Sequence, residues 1–215
     1  FLPPQLLASV SRHSAEAEQQ RDLDAKQLEL IYRERWFKML VPAKYGGLSY
    51  TLPQVLKTEE ALAWADGSTA WVATLCSGAG WFAGFLDPHF SKQGFADDKC
   101  CVAGSGAPTG TADVCKDGYT INGEWKYASG SLHATMFTAN CVITKNGVPL
   151  PDSEGKPQVR AFIFFNSEVA LKETWSSMGM IATASHSFRI TDLVVPYDRA
   201  FIIDNRYAML PDPIY

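Results

Sequence analysis

Near Lys99 the spacing of apolar residues changes from the helical period to alternation, and this change divides the 215-residue chain into a helical part and a β part. Before it, Leu6, Leu7 and Val10, then Leu23, Leu28, Leu30, Ile31, Trp36 and Phe37, recur at helical spacing among charged residues. Two helices are expected across residues 5–40, with a break near Asp22 where Asp22 or Asp24 can cap the second. A third is expected over 52–65, with Thr51 as N-cap and Pro53 in the first turn. A fourth should run from 69 to about 86 behind a capping Ser68, and a shorter one over 87–95. Beyond Lys99 the expected strands are 100–104, 112–115, 119–121, 125–129, 135–144, 159–165, 169–176 and 187–194, separated by glycine, asparagine and proline. The expected fold class is α+β. An N-terminal all-α domain (1–98) precedes a mostly antiparallel β-barrel or sandwich (99–205), and an exit segment follows (206–215).

Residues 70–86 carry no charge but are short for a membrane span and include three glycines, so a helix buried on all sides of a bundle is expected. The balance of 23 acidic against 19 basic residues, with no basic cluster, argues against nucleic-acid or anionic-membrane binding. The start, FLPPQLLASV, lacks the basic opening and long apolar run of a signal peptide. Five scattered cysteines (Cys76, Cys100, Cys101, Cys115, Cys141) form no CxxC pair or zinc-spaced cluster, so no metal is expected. They read as reduced, mostly buried thiols of a cytoplasmic protein. Adjacent Cys100 and Cys101 should point to opposite faces of a strand.

The stretch DGYTINGEWKYASG (117–130) bears most directly on function. Asn122-Gly123 is the pair that favours a tight hairpin turn, and beyond it Trp125, Tyr127 and Ser129 alternate onto one strand face. That face is either half of a β core or a platform on which a flat ligand lies and hydrogen-bonds to Ser129.

This stretch, with VPAKYGGL (41–48), the helix-then-β order and WSSMGMIATASHSFRITDLVVP (175–196), resembles the acyl-CoA dehydrogenase superfamily over essentially the whole chain. DGSTAW (66–71), APTG (107–110) and the Trp125-x-Tyr-x-Ser-Gly ending are similar to its two-component flavin monooxygenase branch. The dehydrogenase branch carries a TEPxxGSD-like run where this chain has VAGSGAPT (102–109), without the acidic residue. The resemblance implies a flavin (FAD or FMN), reduced by a separate flavin reductase, that oxygenates a small organic substrate through a C4a-hydroperoxide. It also implies a homo-oligomer and a C-terminal four-helix domain that has no counterpart here after residues 208–215.

By the same resemblance Tyr127 covers a flavin face and Ser129 bonds near N5 or O4, with Trp125 on the same platform. Ser105, Pro108 and Thr109 meet the pyrimidine edge, and Trp175 lies near the ring or its phosphate tail. Ser129 would also act in catalysis by accepting the N5 hydrogen. His133 and His186 are the candidate bases, whereas His13 and His89 have no obvious partner. An arginine common in the family is replaced by Ile181. Two rival readings are an acyl-CoA dehydrogenase acting on a thioester and a non-catalytic relative serving as a binding or assembly subunit.

Overall fold

The computed structural model describes residues 2–215. Its helices are α1 (Pro4–Arg12), α2 (Ser14–Gln20), α3 (Ala25–Glu34), α4 (Leu52–Ala65), α5 (Gly67–Gly80) and α6 (Pro88–Gly94). The expected first helix is two short ones, interrupted at His13. Local chemistry sets the other boundaries. Asp24 caps α3 by accepting the Lys26 N–H at 2.8 Å, while Gln27 Oε1 accepts the Asp24 N–H at 3.0 Å. Gln54 likewise accepts the Thr51 N–H at the start of α4, and Asp87 caps α6. The cap of α5 is Asp66, whose carboxylate accepts the Thr69 N–H at 2.7 Å. Ser68, the expected cap, sits buried inside the first turn.

α5 is not buried on all sides. Val72, Ala73, Cys76 and Ser77 face the interior, but Trp71 and Leu75 are exposed along the opposite side. The helix ends at Gly80 and tightens into a 3-10 turn over Trp81–Gly84. Among the described residues no helix is long and apolar enough to cross a membrane.

The strands are β1 (Val102–Cys115), β2 (Gly118–Ala128), β3 (Met136–Lys145), β4 (Val148–Pro149), β5 (Val159–Phe165), β6 (Ala170–Lys172), β7 (His186–Val195) and β8 (Ala200–Phe201). They form one sheet in the order β6-β7-β2-β1-β3-β5-β8, with β4 paired to β3. The end strands do not meet, so the sheet is open, and β1 lies parallel to β3. The expected antiparallel barrel is therefore corrected to an open mixed sheet. The chain leaving β2 passes β1 and adds β3 on its far side, which makes that one pair parallel.

Asn122-Gly123 forms no hairpin turn. β2 runs straight through it, and the reversal falls between Cys115 and Gly118. Packing explains the glycine: a Cβ on Gly123 would lie 2.6 Å from Trp125 Cη2, and one on Gly110 would lie 2.1 Å from Trp125 Cζ2. The indole of Trp125 is thus laid across two bare backbone positions on neighbouring strands. Asn122 instead pairs with Asp192 on β7, exchanging a 3.0 Å side-chain bond and a 2.9 Å bond from the Asp192 N–H where the register slips. Gly110→Ala is expected to destabilise the fold by about 1–3 kcal/mol, measured by urea unfolding, because the Trp125 ring has nowhere to move.

Three apolar clusters hold these layers. One lies within the sheet around Trp125, Phe137, Phe162, Phe164 and Phe188. One joins the helices around Ile31, Trp36, Leu62 and Cys76. The third, around Val41, Phe85, Phe90 and Met136, fastens the helices to the sheet. Cys101 enters the second cluster and Cys100 the third, and all five cysteines are free thiols.

Candidate functional site

Between the open face of α5 and the sheet lies a cleft of about 450 Å³. Its helical wall is Thr74, Leu75, Gly78, Ala79 and Phe82. The opposite wall comes from the start of β1 (Ala103–Gly106), the middle of β3 (Thr138–Asn140) and Ser129 at the end of β2. The helical wall is largely apolar, whereas the sheet side supplies hydroxyls and backbone. A second groove of about 550 Å³ lies between Tyr50, Leu52 and the tail Asp212–Tyr215. It has no comparable convergence of buried hydroxyls.

Ser129 follows β2 and is 4 % exposed. Its Oγ accepts the Trp71 indole N–H at 3.0 Å and pairs with Ser185 Oγ at 2.8 Å. Ser185 Oγ pairs in turn with Thr183 Oγ1 at 2.7 Å, and Thr183 donates to the Met180 carbonyl at 2.8 Å. Gly130 makes this approach possible. Its φ is +73°, and a Cβ there would lie 2.9 Å from both Val72 and Cys76, so only glycine lets the chain lie against α5 at that point.

Tyr127 is 60 % exposed, with its ring edge-on to Trp175 at 5.7 Å. Trp175 is held at three points: its indole N–H donates to the Met180 carbonyl, its backbone N–H to His186 Nδ1, and its own carbonyl accepts from Arg21. Ser105 lines the cleft and donates its hydroxyl to the Lys126 carbonyl. Thr109 Oγ1 donates to the Glu124 carbonyl at 2.7 Å, and Pro108 beside it is exposed, both outside the cleft lining.

Trp125 requires a correction. It is fully buried, stacked on Phe188 at 5.2 Å, with its indole N–H donated to the Asn140 carbonyl at 3.0 Å. It therefore shares no exposed platform with Tyr127. The pairing of β2 with β7 explains this: Trp125 is opposite Phe188 but Ala128 is opposite His186, so three steps on β2 face two on β7. That extra residue breaks the alternation between Trp125 and Ser129.

Neither histidine borders the cleft. His133 Nε2 lies 2.8 Å from Asp22 Oδ1, in the loop between α2 and α3. His186 is buried at the start of β7, and that burial pushes its imidazole below the ordinary range. The fold thus favours neutral His186, whose Nδ1 accepts the Trp175 N–H; protonation would turn that nitrogen into a donor. This contribution is complete above the ordinary imidazole pKa of about 6.5 and is lost as pH falls through the lowered native value. His186→Gln is therefore expected to flatten the acid limb of a urea-midpoint-against-pH curve. An unaltered limb would show that His186 does not set it.

Trp71, Thr183, Ser185 and Gly78 were not among the sequence candidates. Trp71, Leu75 and Gly78 fall at helical spacing on one face of α5, but only the fold shows that this face is open. Among the described residues no group of three or more His, Cys, Asp or Glu side chains is arranged to hold a metal ion.

A helical layer set against an open mixed sheet, with a hydroxyl-edged cleft between them, places the chain with proteins of the acyl-CoA dehydrogenase-like fold, and within that fold its relatives are oxygenase subunits of flavin-dependent monooxygenases. It is 26 % identical over 195 residues to the oxygenase subunit HsaA of Mycobacterium tuberculosis, across 90 % of this chain and 48 % of HsaA. The crystal structure of HsaA matches it with a TM-score of 0.83 at 25 % identity, over 92 % of this chain and 52 % of that one. Indole-3-acetate monooxygenase of Pseudomonas putida is 28 % identical over 188 residues, covering 87 % of this chain and 46 % of the relative. The fold is also that of XiaF from Streptomyces sp., solved with FADH2 and glycerol (TM-score 0.82, 23 % identity, 94 % of this chain and 50 % of XiaF). No protein-family model matches the chain. The chain spans about half the length of the curated relatives it matches.

Proposed function

We propose that this chain is the flavin-handling part of an oxygenase that uses reduced flavin to oxygenate a small organic, most simply aromatic, substrate. The observation that carries the reading is a buried serine hydroxyl, Ser129, brought to the edge of a cleft whose other wall is apolar. Such a cleft suits a flat heterocycle with one polar edge. Ser129 would take the flavin's central-ring N–H and Ser105 would meet its pyrimidine edge, while Tyr127, Trp175 and the Pro108-Thr109 backbone, all outside the cleft lining, would contact the part of the flavin that extends beyond it. When bound, the flavin supplies the oxygen chemistry; the chain binds, orients and excludes water. The α5 wall at Leu75, Gly78 and Phe82 would take the substrate.

His186 and His133 act at one remove in this reading. His186 positions Trp175 through the backbone bond, and His133 steadies the Asp22 loop. A flavin reductase would supply the reduced cofactor, further copies of the chain would complete a homo-oligomer, and the free thiols suit a cytoplasmic setting.

The test is anaerobic titration with reduced FMN and reduced FAD, followed by oxygen and a panel of phenols and indoles analysed by mass. Binding of at least one flavin and a product heavier by one oxygen atom are expected. Failure to bind either flavin would overturn the reading and favour a non-catalytic relative. In the same assay Ser129→Ala is expected to raise hydrogen peroxide release without product about tenfold, the effect of losing roughly one hydrogen bond. Unchanged peroxide release would remove Ser129 from that role.

A further inference from the structure

We infer that the cleft takes an uncharged aromatic substrate and discriminates against the same skeleton bearing a carboxylate; this rests on the flavin reading above. The strand order lays the cleft out in a line. Ser129 after β2, Ser105 on β1, Asn140 on β3 and Ala161 on β5 all line it, and Ile203 lies just beyond β8. Neighbouring strands stand about 4.8 Å apart, so β2 and β8, four steps apart, are separated by roughly 19 Å. The helical wall crosses the same span. Trp71 meets Ser129 at one end, and Phe82, just past the end of α5, packs against Phe201 of β8 at 5.4 Å. The flavin edge assigned to Ser129 and Ser105 takes the first end. The substrate is left the second, between Ala79 and Phe82 on the helical side and Ala161 and Ile203 on the sheet side.

That end holds nothing to neutralise a negative charge. Among the described residues that line the cleft none is ionisable: apolar side chains and glycine backbone are joined only by hydroxyls and the Asn140 amide. Two of the polar groups are already engaged. Ser105 gives its hydroxyl proton to the Lys126 carbonyl, and Asn140 Nδ2 donates to the Gly106 carbonyl at 2.8 Å.

The surrounding charge has the same sign as a carboxylate. α5 ends at Gly80, so the negative end of its dipole lies at the substrate end of the cleft. Behind the wall, Glu59 of α4 shares a shallow hollow with Thr74, which also lines the cleft. A carboxylate entering here gives up water and gains no cation, the unfavourable case for any charge. An uncharged ring gains the apolar contacts without that penalty.

The experiment compares indole-3-acetamide with indole-3-acetate, which share one shape and differ by a charge. Calorimetry on the chain holding reduced flavin, without oxygen and at neutral pH, reads both affinities. The amide should bind about 30-fold or more tightly than the acid, the ratio expected when a desolvated charge is left without its partner. Ile203 is the position at which to reverse the preference. It is 45 % exposed, so a long polar side chain fits there with its head in water. Ile203→Arg should raise the affinity of the acid about tenfold and leave that of the amide nearly constant. Ile203→Gln adds polarity without charge and should keep the wild-type ratio, which separates the effect of charge from any disturbance of packing.

Equal or tighter binding of the acid by the wild type overturns the inference and leaves the flavin reading intact. So does flavin binding with no binding of either indole, or an Ile203→Arg ratio no different from that of Ile203→Gln. A wild-type chain that holds no reduced flavin overturns the flavin reading and this inference with it.

Discussion

Trp125→Ala is expected to remove about 3–5 kcal/mol of stability, the range for truncating a large buried aromatic. The indole is fully buried, stacks on Phe188, covers Gly110 and Gly123, and donates to Asn140. Its loss leaves a cavity at the centre of the sheet and a carbonyl without its donor. Urea unfolding reads the loss directly. The sequence alone allowed a different outcome, in which Trp125 forms part of a ligand platform and its truncation weakens binding while sparing the fold. A folded variant with wild-type stability and impaired flavin binding would restore that platform reading.

The misplacement of Trp125 shows where a sequence pattern loses its hold. Alternation assigns faces only along an unbroken pleat, and β2 carries an extra residue against β7 between Trp125 and Ala128. No residue type in GEWKYAS signals it. Asn122-Gly123 misled for a related reason, since glycine supplies both the positive φ of a turn and the bare backbone an indole needs, and here it supplies the second. The helical caps at Asp24 and Thr51 were legible because a cap is a bond across two or three residues of one segment. Asp66 was missed because Ser68, two residues on, is an equally good capping type.

The helical and β parts were visible in the apolar spacing, and the resemblance carried by three short motifs and the helix-then-β order pointed to the fold that the solved relatives share. The parallel pairing of β1 with β3 was not visible, nor was the meeting of Trp71 with Ser129 across 58 positions. Both depend on how the segment after β2 crosses the sheet edge, a property of the packed layers rather than of any local run.

Filling the cleft should separate stability from binding in the opposite sense to Trp125→Ala. Gly78 lies in α5 and lines the cleft, and an added Cβ there meets nothing within 4 Å. A glycine inside a helix costs about 0.5–1 kcal/mol relative to alanine, so the position gives up stability that a side chain of better helix propensity would in part recover. Gly78→Trp should place an indole in the space of about 450 Å³ beside Leu75, Ala79 and Phe82. The thermal midpoint is expected to hold or to rise, by about 2–4 °C for each kcal/mol gained in a chain of this size. Binding of phenol or indole, used as small aromatic probes in the presence of reduced flavin, should fall about 100-fold or more, because the expected loss is one of space and no rotamer change in a packed helix wall restores it. Calorimetry measures both quantities on one sample. A stable Gly78→Trp variant that still binds the probes at wild-type affinity would place the ligand elsewhere, with the groove at Tyr50, Leu52 and Tyr215 the next surface to fill. Since the substitution removes neither Ser129 nor its hydroxyl partners, it tests the location of the site by space rather than by the hydrogen bonding assigned to it.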